Sequence, residues 1–484
     1  MSAVQSEALS CPLAVDLDGS LIRTDMLHES AIAVCRDHPL LVLRVPFWLL
    51  QGKAALKAEL SRRFQFDPDV LPYHQDLIAW LRMERAAGRR LILCTASDIK
   101  IAERIAGHLD LFDEVIASDG ELNLAGQHKA DLLERRFGLG GFDYAGNSSA
   151  DLKVWARARR AILVNTSAGV SRQARQDGFV EREFPRVRPG FVAILKMLRV
   201  HQWLKNGLLF IPLLASHQLG RLHLWQELAF AWMAFSLCAS AVYIANDLTD
   251  LDSDRRHPRK SARPFASGLL PAWVGIAAVP LLLTLSTLLS RQVGGAFMPW
   301  LVCYFLLTCA YSWGLKRLVI VDCLTLAILY TLRVIAGAAA IQNTLSFWLL
   351  AFSVFLFLSL AFVKRYTELR THASLGKEKA HGRGYYSEDA SLVQTLGVTS
   401  GFAAVMVLAL YLNSEAVLQL YRLPEAMWAA VPVVLFWISW MWMKAHRGQM
   451  HDDPLVFAFK DPASLCAGTV FGCVLALGAL GLPW

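Results

Sequence analysis

No two cysteines in this chain stand at metal-ligating spacing. The nine thiols, at 11, 35, 94, 238, 303, 309, 323, 466 and 473, form no C-x-x-C and no Cys/His cluster. A structural zinc site is thereby excluded, and reduced thiols are expected. The opening M-S-A-V-Q-S-E-A-L-S has no basic stretch followed by an apolar one, so no signal peptide is expected. Lysine and arginine are nearly missing from one set of loops, where only Arg221, Arg291 and Arg422 occur. The alternate loops, 246–268, 314–317, 364–395 and 444–463, carry 16. That asymmetry predicts a cytoplasmic position for the second set. The net charge of +8 is then a matter of topology and phosphate ligands, and no nucleic-acid partner is called for.

What the chain has in abundance is apolar sequence. The 55% hydrophobic content of its 484 residues is unevenly spread. Residues 1–185 are mixed and charged, and 203–484 consist mostly of long apolar runs. Nine runs are predicted membrane spans: 203–220, 223–245, 269–290, 294–313, 318–341, 345–363, 396–413, 427–443 and 464–482. Nine spans would leave the C-terminus outside and the N-terminal part in the cytoplasm.

The stretch Asn246-Asp247-Leu248-Thr249-Asp250-Leu251-Asp252-Ser253-Asp254 directly follows an apolar segment. Carboxylates at a membrane boundary are costly and call for a reason. On a continuous helix Asp247, Asp250 and Asp254 share one face, within about 60° of arc. Mg²⁺ is the natural partner, because it takes one or two carboxylates plus diphosphate oxygens. The bland alternative is a solvated acidic helix end balanced by Arg255, Arg256, Arg259 and Lys260.

Near the N-terminus, Pro12 to Val15 reads as a strand leading into Asp16-Leu17-Asp18-Gly19. Asp16 is a candidate nucleophile toward phosphorus, and Asp18 a candidate acid for the leaving oxygen. A second strand, Arg90 to Cys94, ends at Thr95, a hydroxyl for a phosphate oxygen. Lys129 can neutralise phosphate charge, and Asp151 can complete a Mg²⁺ site with Asp16 and Asp18. These features in this order resemble the haloacid dehalogenase-like (HAD) phosphatase superfamily over about residues 11–180. The resemblance implies a doubly wound α/β core in domain 1–185, with a helical cap at 22–85. Asn147 departs from the pattern, standing where many members carry a carboxylate. A catalytically silent scaffold is the alternative reading.

Residues 186–202 are expected to be a linker with an interfacial helix over Phe191–Leu198. Lys205 is either a ligand for an anionic substrate or an interfacial anchor. Asp322 and Arg333, eleven residues apart in one span, fall on one face and are expected to line a cavity or to bridge helices.

Spans arranged around N-D-x-x-D-x-x-x-D resemble the UbiA superfamily of intramembrane prenyltransferases. The longer string through Asn246, Asp247, Asp250, Asp254, His257, Pro258, Lys260, Arg263 and Pro264 resembles its decaprenyl-phosphate phosphoribosyltransferase branch. Further matching pieces are Gln202-Trp203-x-Lys205-Asn206, Arg333 to Gly337 and Lys364-Arg365-Tyr366. The aromatic prenyltransferases of the superfamily usually have a second Asp-rich motif after helix six. Here that loop has none, and Lys364, Arg365, Arg370, Lys377, Lys379 and Arg383 stand there instead.

The resemblance implies an all-α polytopic domain over 203–484, in a bacterial inner membrane, with the HAD-like domain cytoplasmic. It implies Mg²⁺, phosphoribosyl diphosphate and a polyprenyl phosphate as cofactor and substrates; a homo-oligomer is possible. Asp247, Asp250 and Asp254 would be catalytic metal ligands. Asn246, Lys260, Arg263, Asp322, Arg333, Lys364 and Arg365 would bind substrate, as would Lys205, and Thr95 and Lys129 in the other domain. The fusion suggests that the HAD-like domain removes the 5-phosphate from the lipid product. Two other readings stay open. One is an aromatic prenyltransferase with a regulatory HAD-like domain; the other is a transporter or scaffold with a soluble sensor.

Overall fold

The computed structural model describes residues 11–216, 218–294, 296–374, 376, 384–415, 417, 421–450 and 453–481. Lys377, Lys379 and Arg383 lie outside them. The chain divides into two compact units. One joins the N-terminal domain, up to Leu198, with Tyr243–Val279; the other holds Arg199–Val242 and Pro280–Trp484.

The first unit is built on a six-stranded sheet with order β3-β2-β1-β4-β5-β6. Its strands are β1 Leu13–Val15, β2 Leu91–Asp98, β3 Glu114–Ser118, β4 Asp143–Gly146, β5 Ala161–Val164 and β6 Val180–Phe184. All pairings are parallel, with Val15 opposite both Leu93 and Ala145. Parallel strands covered on both faces need near-continuous apolar sequence, and Leu13-Ala14-Val15 and Leu91 to Cys94 supply it, all fully buried. The strand order reverses at β1. In such sheets the ligand crevice lies beyond the carboxyl ends of the strands at that point, and Asp16 is the residue after β1.

Between β1 and β2 the chain is helical: α1 Met26–Asp37, a 3-10 turn Pro39–Arg44, a short helix Val45–Leu50, α2 Lys53–Ser61 and α3 Gln75–Ala86. Asp25 starts α1 by accepting from the amides of Leu27 and His28. Val34, Trp48, Leu56 and Leu60 form a small core of their own, whereas Leu77, Ile78, Trp80 and Leu81 of α3 join the core of the sheet. A later short helix, Phe191–Met197, buries Ala193 and Met197 and exposes Phe191, Val192 and Ile194.

Among the described residues seven helices are long and apolar enough to cross a membrane: Leu222–Thr249, Ala272–Ser290, Val321–Ala340, Phe347–Ser374, Ser387–Leu412, Pro424–His446 and Pro462–Leu480. Phe297–Trp313, at 17 residues, is a shorter apolar helix. Leu281, Leu288, Leu306, Leu410 and Leu477 stand out from them, exposed, as lipid-facing side chains do. Eight of the nine expected spans are thus helices. The run 203–220 is not one. It forms a 3-10 stretch, Val200–Phe210, then a five-residue helix, Ile211–Ala215. Pro212 cannot donate to a continuing ladder, and Asn206 is drawn into side-chain bonds described below.

The helix through the acidic motif is also not continuous. Leu222–Thr249 ends one residue before Asp250, whose φ of −101° and ψ of 15° lead into a second helix, Leu251–Arg256.

Candidate functional site

At the carboxyl end of β1, burial concentrates charge. Asp16 Oδ1 accepts from Lys129 Nζ at 2.7 Å, and Lys129 also donates to Tyr144 Oη at 2.7 Å. Asp18 accepts from Ser97 Oγ at 2.6 Å and from the Met26 amide at 2.8 Å. Burial pushes the Asp16 carboxyl well above its usual range; the Lys129 ammonium pulls it down and Asp151 pushes it up. Burial also pushes Asp18 up, and the nearby Asp25 charge adds to this. A raised Asp18 keeps its proton near neutrality, as a general acid must.

Thr95 is buried on β2, and its Oγ1 accepts from the Ser97 amide at 3.0 Å. Asp151, expected as a metal ligand, is tied into its own loop. Its Oδ2 accepts from the amides of Asn147 and Ser148 and from Ser148 Oγ, and its Oδ1 accepts from Tyr144 Oη at 2.8 Å. With both oxygens occupied, it buttresses the loop that carries Asn147. The Asn147 amide itself stands against Gly19, close enough that a Cβ there would lie 2.0 Å from Nδ2. Gly19, at φ +76°, is held by backbone geometry as well. Mg²⁺ fits this corner: Asp16 is a buried carboxylate bonded to Lys129, Asp18 is a second, half-buried carboxyl beside it, and Asn147 adds an oxygen donor.

In the acidic motif, Asp247 and Asp254 are buried. Nη1 of Arg263 lies 3.0 Å from an Asp247 oxygen and 2.5 Å from an Asp254 oxygen. Lys260 Nζ lies 3.9 Å from Asp254. Burial raises the Asp254 carboxyl, against the pull of Arg263. Oxygens from two carboxylates thus converge on one cation-sized point, and Arg263 fills it. That all-oxygen donor pair fits Mg²⁺. Asp250 is half-buried at the helix break, where its amide donates to the Asn246 carbonyl at 2.9 Å.

On the same short helix, directly after Asp254, Arg255 makes a bidentate pair with Glu29 of α1, at 3.0 and 2.5 Å. Both side chains are 3% exposed. Glu29 also accepts from Thr24 Oγ1, and the Thr24 carbonyl accepts from the Gly19 amide. Arg36 donates to the Thr249 carbonyl at 2.9 Å, and Arg256 to Asp67 at 3.0 Å. A cavity of about 390 Å³ starts at Asp18 and Gly19 and is closed on another side by Gly268, Leu269, Pro271 and Trp273.

The second unit holds two buried charge clusters. Lys205 Nζ and Lys364 Nζ converge on Asp453 Oδ2, at 2.7 and 3.3 Å, and Tyr330 Oη reaches the same carboxylate. Burial alone would raise Asp453, but Lys205, with Lys364, outweighs it and holds the carboxyl well below its usual range. Beside it, Asn206 donates to Ser236 Oγ at 2.9 Å and accepts from Arg333 Nε at 2.9 Å. Arg333 donates to Tyr304 Oη and lies over its ring.

The other cluster pairs fully buried Arg365 with Asp322, and Tyr385 Oη donates to Asp322 at 2.6 Å. Asp322 and Arg333, expected to line a cavity or to bridge helices, each bond to side chains of other elements. About 16 Å of helix rise separates the two positions; Asp322 is neutralised by Arg365, and Arg333 is held by the neutral Asn206 and Tyr304. Sequence reasoning missed Glu29, Arg255, Ser97, Tyr144, Tyr385 and Asp453. Of these only Asp453 had a local signal, an Asp-Pro pair ahead of an apolar helix.

The sequence profile of the UbiA prenyltransferase family matches residues 208–460. The chain belongs to that family. It is a multi-pass membrane enzyme carrying an α/β domain built on a six-stranded parallel sheet. Among its relatives, the uncharacterized protein y4nM of Sinorhizobium fredii is 36% identical over 469 residues, 96% of this chain and 90% of that one. Nodulation protein NoeC of Azorhizobium caulinodans is 37% identical over 292 residues, 60% of this chain and 92% of that one. The decaprenyl-phosphate phosphoribosyltransferase of Mycolicibacterium smegmatis is 30% identical over 274 residues, 55% of this chain and 86% of that protein.

Proposed function

We propose that residues 203–484 transfer a 5-phosphoribosyl group from phosphoribosyl diphosphate to a polyprenyl phosphate. Residues 1–185 then remove the 5-phosphate, leaving polyprenyl-phosphoryl-ribose, a precursor of lipid-linked pentofuranose for cell-surface glycans. The kinship with a decaprenyl-phosphate phosphoribosyltransferase supports the first step. The observation that carries the coupling is the cavity at Asp18, whose far wall, Gly268 to Trp273, runs into a membrane-crossing helix. A phosphatase pocket walled in this way suits a substrate that is itself held in the membrane. The cation asymmetry of the loops supports a bacterial inner membrane with both catalytic parts on its cytoplasmic face.

In the transfer, Asp247, Asp250 and Asp254 would hold Mg²⁺ with the diphosphate. When bound, Mg²⁺ neutralises the leaving group's charge. Arg263 and Lys260 lie at the same carboxylates and share that work, and Asn246 accepts the amide of Asp250 and fixes the turn. The C1–O bond to diphosphate breaks, and an oxygen of the lipid phosphate forms the new bond to C1. That oxygen is already anionic, so no base is needed. Lys205 and Lys364 are assigned to a phosphate of the lipid or the sugar. Arg365, Asp322 and Arg333 are assigned to the same phosphates, either directly or by holding the helices that present those lysines. Positioning and charge neutralisation supply most of the rate.

In the hydrolysis, Asp16 attacks phosphorus, the ester P–O bond breaks, and the Asp18 proton passes to the sugar 5-oxygen. Asp18 then takes a proton from the water that cleaves the aspartyl phosphate. Thr95 and Lys129 bind the phosphoryl oxygens. Mg²⁺ held by the Asp16 carboxylate and the Asn147 amide oxygen would draw charge from the phosphoryl group, leaving the Asp18 carboxyl to carry the proton.

The test is incubation of purified protein with Mg²⁺, labelled phosphoribosyl diphosphate and a polyprenyl phosphate, beside Asp16→Asn and Asp247→Ala. Expected are ribosyl lipid from the parent, phosphoribosyl lipid from Asp16→Asn and no lipid product from Asp247→Ala. Absence of labelled lipid from every variant overturns the transfer, and label from a prenyl diphosphate on an aromatic acid would establish the alternative.

A further inference from the structure

The segment Pro39-Leu-Leu-Val-Leu-Arg-Val-Pro-Phe-Trp-Leu-Leu50 carries one charge in twelve residues. Only Trp48 of it is buried, against Val34, Leu56 and Leu60. Leu40 is 80% exposed, Leu43 73%, Phe47 66% and Leu50 85%. Scattered exposed leucines need no explanation, but a contiguous apolar surface this dense marks an interaction face.

Its place in the chain says what covers it. The segment begins three residues after Arg36, whose guanidinium donates to the carbonyl of Thr249. Thr249 is the last residue of a 28-residue membrane-crossing helix. Ile32, Ala33 and Arg36 line one small cavity together with Leu248, Thr249, Leu251 and Asp252. Three residues span at most about 11 Å, so Pro39 starts within that distance of Arg36, whose side chain reaches a helix end at the bilayer boundary. Arg44 within the segment and Lys53 just after it are exposed cations, suited to phosphate headgroups.

We infer that Pro39–Leu50 is a membrane-interface anchor: Leu40, Leu43, Phe47 and Leu50 enter the headgroup–acyl boundary beside the cytoplasmic end of Leu222–Thr249. The anchor holds the cap, and with it the Asp18 cavity, at the level where a lipid-borne phosphate is presented. It sits in the insert between β1 and β2 and is a second membrane attachment, separate from the crossing helices.

The test uses the full chain in lipid nanodiscs, with its exposed native cysteines replaced by serine. Leu43→Cys and Leu50→Cys are each labelled with bimane, and Leu139→Cys serves as control, since Leu139 is also 73% exposed. Labels at 43 and 50 are expected to be quenched by lipids spin-labelled near the headgroup and spared by aqueous iodide, with the reverse at 139. Iodide quenching at 43 and 50 overturns the inference. Protection from both quenchers, the signature of a second copy or another protein on this face, also overturns it.

A second arm rests on the proposed phosphatase. Leu43→Glu combined with Leu50→Glu is expected to slow hydrolysis of the phosphoribosyl lipid roughly tenfold or more, with soluble ribose 5-phosphate hydrolysed as by the parent. Equal rates on the lipid overturn the anchor's role in presentation. If the parent hydrolyses neither substrate, the phosphatase reading has failed, and the quenching result still decides the anchor.

Discussion

Replacing Glu29 tests whether the acidic motif and the Asp16–Asp18 site are held together by one buried ion pair. Arg255 and Glu29 are each 3% exposed and joined by two charge-assisted hydrogen bonds. Glu29→Leu leaves a guanidinium buried beside an apolar side chain. Removing one partner of such a pair costs about 3–5 kcal/mol, most of it the penalty on the charge left behind. Arg255→Met strands the carboxylate and is expected to cost a similar amount. The double replacement removes both charges. Its remaining cost is the acceptor lost by the Thr24 hydroxyl, about 1–2 kcal/mol.

The coupling between the two positions is therefore expected to be several kcal/mol, far above the roughly 0.5 kcal/mol within which independent sites add. Native-state proteolysis in detergent, with the rate of cleavage near residues 186–190 as readout, measures the opening free energy of each variant. Costs that simply add, or single replacements each below about 1 kcal/mol, the level of an exposed pair, would refute the reasoning.

Two further replacements probe the other unit. Gly337→Ala puts a Cβ 2.1 Å from the Leu209 carbonyl oxygen, with two more backbone atoms of Leu209 under 3 Å. Backbone cannot rotate away, so a loss of about 1–3 kcal/mol is expected, and an unchanged melting temperature in detergent would count against this close approach. Asp453→Asn leaves Lys205 and Lys364 facing a neutral amide, at about 3–5 kcal/mol. Because the folded carboxyl is held below its unfolded value, its stabilisation is present above about pH 4 and is lost as pH falls through the lower folded value. The stability gap between parent and variant should thus be constant from pH 7 to about 5 and close only below about 4; a gap closing near pH 6 would contradict the assignment.

Much of the architecture was legible because membrane and sheet each impose a strong local pattern. A membrane core demands long apolar runs, and eight of nine were read from Leu222 to Leu480. The exception, 203–220, was apolar enough but contained Asn206 and Pro212, and side-chain bonding to Ser236 and Arg333 decided against a helix there. Asp16 and Asp18 were legible because they follow a strand and Lys129 because it opens a helix, whereas β2 runs on past Thr95 to Asp98. Asp322 and Arg333 show what such patterns leave out. Helical periodicity tells which face a residue occupies, and it is silent about which neighbouring helix brings the counter-charge.

The sequence by itself determined the classes of chemistry: carboxylates after a strand, carboxylates at a span's end, cations in place of a second acidic motif. These are local facts, set by residue type and spacing along the chain. Only the tertiary structure decided the partners. Arg255 meets Glu29 across 226 residues, Lys205 and Lys364 meet Asp453, Arg365 meets Asp322, and Arg263 stands between Asp247 and Asp254. A buried charge must be neutralised by whatever the fold brings within a few ångströms, and that neighbour is fixed by packing across elements far apart in the chain.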